Sequence, residues 1–133
     1  MMGLFEERAM HQKNLMVLDQ GYDGLDRFTY LGATYNIVLI HEAADALSYL
    51  KRLPVDVILL KDQMSGMDAL EFLMNLQDLR PSATAVVLCR ECFPASLPPM
   101  PNVCFLKEPI SGDELYRFLT DLESSPRHSQ RTH

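Results

Sequence analysis

The chain has 133 residues, 47% of them apolar and 23% charged, which is the size of one domain with enough apolar material for a core without disulfide or metal staples. No apolar run exceeds six residues, so no segment can span a bilayer, and the acids in the opening MMGLFEERAM exclude a secretory signal, so a cytoplasmic protein is expected. The net charge of −6, from 12 basic and 18 acidic residues, repels phosphate backbones and argues against nucleic-acid binding. The three cysteines then read as reduced thiols rather than a disulfide framework.

Residues 1–13 are polar and mixed in charge and read as an N-terminal arm, 14–122 as the folded domain, and 123–133, which lack apolar anchors, as a disordered tail. Five short apolar runs follow in chain order: Leu15 to Leu18, Tyr35 to Ile40, Val57 to Leu60, Ala85 to Cys89 and Val103 to Leu106. Unbroken runs rich in β-branched residues fit strands buried on both faces, as in a parallel sheet. Between and after them lie helical spacings: Ala43, Ala46, Leu47 and Leu50; Ala69, Phe72, Leu73 and Leu76; Leu115, Phe118, Leu119 and Leu122. The last helix opens with Ser111 and Glu114 in the spacing of a capping box. Leu25 and Phe28 mark a weaker helix after the first strand, with Asp23 as its N-cap. Between the fourth and fifth strands Pro94, Pro98, Pro99 and Pro101 forbid a regular helix.

Alternating strands and helices imply a doubly wound α/β domain with a five-stranded parallel sheet. Such sheets bind ligands beyond the carboxyl ends of their strands, where strand order reverses. In the order 2-1-3-4-5 that point lies at Leu18, Asp19 and Lys61, flanked by Cys89 and Glu108.

At these residues the chain resembles the receiver domains of two-component response regulators, the CheY-like, flavodoxin-like fold. VDVILLKDQMSGMDALEFL (55–73) is similar to the family's third strand, phosphorylation loop and third helix. FLKEPISGDEL (105–115) is similar to its fifth strand and Lys-Pro turn, LMVLDQ (15–20) to its first strand, and HEAADALSYLK (41–51) to its second helix. The resemblance covers about residues 14–122 and implies order 2-1-3-4-5, here with a fourth helix shortened or absent.

The departures from the family pattern carry the functional expectation. The acceptor aspartate of the third strand corresponds to Lys61, and a lysine at its reference pKa of about 10.4 has no lone pair to attack phosphorus at neutral pH. The acidic pair that holds Mg²⁺ reads Leu18-Asp19, so one acid survives, and Mg²⁺ asks for octahedral oxygen ligands. The strand-four hydroxyl corresponds to Cys89, a weak donor, and the lysine before proline to Glu108, with Lys107 on the opposite face. Phe105 retains the switch aromatic, and Ser65 replaces the loop proline. The expected arrangement is a Lys61–Asp19 ion pair in the cation's place, with Glu108 a second candidate partner for Lys61.

The resemblance thus implies a receiver-like signalling domain, not an enzyme, that works without phosphorylation or cofactor by binding a protein such as a kinase or output protein. A homodimer stays open, because a truncated fourth helix remodels the family's dimer surface. Two alternatives stand beside it. One is a working phosphoreceiver using Asp62 and Mg²⁺; the other is a dithiol redox protein built on Cys89-Arg90-Glu91-Cys92. His41, at the start of the second helix, reads as solvated.

Overall fold

Five parallel strands form a single sheet in a computed structural model that describes residues 12–19, 31–32, 34–62, 66–90 and 100–124. The strands are β1 (Lys13–Leu18), β2 (Tyr35–Ile40), β3 (Val57–Lys61), β4 (Thr84–Cys89) and β5 (Val103–Lys107). Their order is β2-β1-β3-β4-β5, so the sheet reverses direction of growth at β1 and β3, as expected from the sequence. Three helices are described: α1 (Ala43–Arg52), α2 (Ala69–Leu79) and α3 (Gly112–Ser124). The helix expected at Leu25 and Phe28, Cys92, and Pro94, Pro98 and Pro99 lie outside the described residues. Arg90 and residues 100–102, the described part of the β4–β5 connection, contain no helix.

Alternation along the strands divides the core into two layers. Met16, Leu18, Ile58, Leu60, Ala85, Val87 and Cys89 point to one face, where they meet Ala43, Ala46 and Leu50 of α1 and Phe72, Leu73 and Leu76 of α2. Leu15, Val17, Val57, Leu59, Val86 and Leu88 point to the other, against Leu115 and Leu119 of α3. A sheet covered on both faces needs apolar residues at consecutive positions, which is why the runs in β1, β3 and β4 are unbroken. β2 departs from that expectation. It is an edge strand, and Leu39 stays 41% exposed.

The local devices follow from chemistry at particular positions. Ser111 and Glu114 close the capping box reciprocally: the Glu114 amide donates to Ser111 Oγ at 3.1 Å, and the Ser111 amide to Glu114 Oε1 at 2.9 Å. The Arg80 Nε–H donates to the Leu50 carbonyl at 2.9 Å and ties the end of α2 to α1. Gly66 has a φ of 87°, a left-handed conformation that a side chain would strain. The Glu108–Pro109 peptide is cis.

Two stability outcomes follow. Phe72→Ala, at a fully buried side chain, is expected to cost about 3–5 kcal/mol in urea unfolding. Ser111→Ala is expected to cost about 1 kcal/mol through the lost cap, with its native contacts elsewhere unchanged.

Candidate functional site

The residues singled out in the sequence converge at the carboxyl ends of the strands because the register is continuous. Leu18 lies beside Leu60, so Asp19 and Lys61 leave adjacent strands at one level. Lys61 pairs with Leu88, and Cys89 with Lys107. Glu108 continues the ladder by donating its amide to the Cys89 carbonyl at 2.7 Å. Leu18 faces the α1 and α2 layer as a core residue, and Phe105 packs half-buried against the same layer.

Period two places Asp19, Lys61 and Glu108 on the α3 face, in line with Val17, Leu59 and Leu106. Lys61 uses that geometry to reach across β4. Its Nζ lies 3.6 Å from Glu108 Oε2, with the two side chains 30% and 10% exposed. The ion pair at Lys61 among the described residues therefore runs to Glu108 and not to Asp19, which corrects the expected Lys61–Asp19 pair. The physical reason is reach and face: the lysine and glutamate side chains together bridge two strand spacings of about 4.8 Å each, and Glu108 continues beyond the end of β5 on the same face.

Asp19 is only 3% exposed. The His41 Nδ1–H donates to its carbonyl at 2.9 Å, and the Asp19 amide donates to the Ile40 carbonyl at 3.0 Å. His41 is exposed, as expected, and also holds this hydrogen bond. Sequence reasoning missed this contact, although pairing the ends of the first two apolar runs would have placed residues 19 and 41 side by side. The crevice between Asp19, Leu60 and Lys61 has a volume of about 10 Å³, which leaves room for no more than one water.

Asp62 turns the other way. Its amide donates to the Leu88 carbonyl at 3.0 Å, the bond a continuing strand makes, so alternation puts its side chain on the face opposite Lys61. There it lies near Cys89, which is fully buried. Burial above all, then the charges of Asp62 and Glu108, push the Cys89 thiol up to about 11. Burial also raises the Cys104 thiol. Among the described residues no group of three or more His, Cys, Asp or Glu side chains could hold a metal ion, and no helix is long and apolar enough to cross a membrane.

No protein-family model and no curated protein matches the sequence. Solved structures do match the fold. A response regulator receiver protein from Sinorhizobium medicae WSM419 superposes with a TM-score of 0.75 at 16% identity, over 87% of this chain and 98% of that one. The chain has the receiver fold. A CheY-like receiver domain protein from Methanospirillum hungatei JF-1 gives a TM-score of 0.71 at 16% identity, again over 87% of this chain and 98% of its own. A member of a redox-sensor family of the streptococci, evolved from two-component response regulators, gives 0.70 at 17% identity, over 86% of this chain and 52% of its own length. At these identities the likeness establishes architecture, and the side chains at the receiver's strand ends must be judged on their own chemistry.

The thiol supplies a pH test. A folded pKa near 11 against an unfolded 9.0 keeps the proton on the native thiol while the unfolded chain releases it. The resulting stabilisation is complete below pH 9 and is lost as pH rises through 9 toward 11. Urea midpoints measured from pH 8 to pH 10.5 should fall less steeply for Cys89→Ala than for the unaltered chain.

Proposed function

We propose that this chain is a receiver-type module of two-component signalling that takes no phosphoryl group at its third strand and acts by binding a protein partner, a kinase or an output protein. One observation carries the reading: Lys61 stands at the acceptor position and is paired with Glu108 at 3.6 Å. A receiver that accepts phosphate needs a carboxylate on β3 and a cation at the end of β5. Here the two charges have changed places. The mutual attraction is kept while the nucleophile is lost, and Glu108 would repel an incoming phosphate.

The donor set supports the same reading for the metal. Asp19 is the acid left at that mouth, Leu18 faces the core, and the Lys61 ammonium stands alongside. Mg²⁺ dehydrates reluctantly and asks for oxygen ligands in octahedral array, so these residues do not fit it. The module then needs no cofactor and has no catalytic residue. A cytoplasmic location belongs to the same proposal, as the compartment of signalling proteins of this kind.

The alternatives weaken on geometry. Asp62 as a displaced acceptor faces away from Asp19, so acceptor and metal acid would sit on opposite sides of the sheet. The redox reading needs a thiolate, and a fully buried Cys89 with its pKa at about 11 is a poor one.

Incubation with acetyl phosphate and Mg²⁺, followed by intact-mass measurement, tests the proposal. The expected spectrum is unchanged. A gain of about 80 Da, the mass of the phosphoryl group added by such a modification, that disappears in Asp62→Asn would establish the displaced acceptor instead. Separately, Lys61→Met should change stability by no more than about 1 kcal/mol, because a partly exposed pair contributes little net energy.

A further inference from the structure

The outer face of α2 combines an uncovered apolar centre with charge of one sign. Met74 is 56% exposed, more than the other exposed large apolar residues among those described, Leu39 and Leu53. It sits in a shallow groove of about 310 Å³ lined by Asp68, Leu70, Glu71, Met74, Asn75 and Asp78. Leu70 and Met74 are four residues apart, and Glu71, Asn75 and Asp78 form the neighbouring ridge, so helical spacing lays the apolar and acidic stripes side by side. Neither Lys nor Arg occurs in α2 or lines the groove. None of the three carboxylates has an ion-pair partner among the described residues.

A singly exposed methionine is ordinary. Asp68 is the N-cap and Glu71 lies in the first turn, where negative charge suits the helix dipole, but Asp78 lies in a last turn that holds no basic residue, and no cation among the described residues compensates the three carboxylates. The Asn75 side chain does nothing to offset them: its amide donates to the Glu71 backbone carbonyl at 2.9 Å. Methionine is the residue that adapts to an apolar side chain of varied shape, and a ring of acids around it selects a cationic surround.

We infer that the α2 face is the docking surface for a basic amphipathic helix of a partner protein, with an apolar side chain seated between Leu70 and Met74 and lysine or arginine side chains reaching Asp68, Glu71 and Asp78. The charge decides among occupants. A second copy docked symmetrically on this face would bring three carboxylates against three, and a fully apolar partner would leave all of them facing desolvation without a cation. The inference rests on the partner-binding half of the proposal above. It is indifferent to phosphoryl transfer, so failure of the acetyl phosphate test leaves it standing.

The full chain, with its methionine methyl groups labelled with carbon-13, is titrated with a synthetic lysine–leucine peptide whose leucines recur at helical spacing. A second peptide of the same composition, shuffled to have no apolar face, is the comparison. The Met74 methyl resonance is expected to shift saturably with the first peptide. Met74→Glu, and separately Glu71→Lys with Asp78→Lys, should each weaken binding by about tenfold or more, as loss of an interface anchor does. These positions are exposed, so the variants keep the fold, which the remaining methionine resonances report. Lys61→Met should leave the titration unchanged. Equal binding of the two peptides would overturn the inference, because general attraction to an acidic protein would then explain it. So would shifts that leave Met74 untouched, and so would self-association of the free chain that Met74→Glu abolishes.

Discussion

An ammonium and a carboxylate face each other across one intervening strand, and the reading proposed for this molecule depends on them. Lys61 leaves the end of β3, Glu108 follows the end of β5, and their charged atoms meet at 3.6 Å on the α3 side of the sheet. The pair is partly open to water, so its net contribution to folding is small. On the proposed reading the pair matters because it puts a positive charge with no nucleophilic oxygen where a receiver would carry its acceptor, beside a carboxylate that would disfavour a phosphate.

The sheet makes this meeting possible. Register places Asp19, Lys61 and Glu108 on one face and Asp62 with Cys89 on the other. The same alternation divides the two core layers, so the site and the core obey one rule. A single-residue slip of β3 would exchange Lys61 for Asp62 at the mouth, but it would also turn Leu59 and Val57 out of the α3 layer. The buried aliphatic residues of β3 thereby hold Lys61, and not Asp62, at the mouth.

Much of this was legible in the amino-acid order. The four- to six-residue apolar runs located all five strands, and Ser111 with Glu114 announced a cap that both hydrogen bonds realise. The positions of Asp19, Lys61, Cys89 and Glu108 at the strand ends followed from counting against the receiver pattern. The partner of Lys61 was harder to read. Asp19 is nearer by strand adjacency, but a flexible lysine selects its partner by reach and face, and those depend on where each strand ends. The hydrogen bond from His41 to the Asp19 carbonyl was not legible because it arises from the β1–β2 register, not from the helix that His41 precedes. The exposure of Leu39 likewise reflects the edge position of β2, which an apolar run by itself does not reveal. The charge and apolar stripes of α2 were present in the sequence, yet their common groove emerges only when the helix is placed on the sheet.

The central claim is that an ammonium paired with Glu108 leaves the strand ends unable to take a divalent cation. A Mg²⁺ titration followed through the backbone amide resonances tests it most directly. The account predicts that the Asp19, Lys61 and Asp62 amides stay where they are as the metal is added. Saturable shifts centred on Asp19, with the Lys61 side chain released from Glu108, would contradict it.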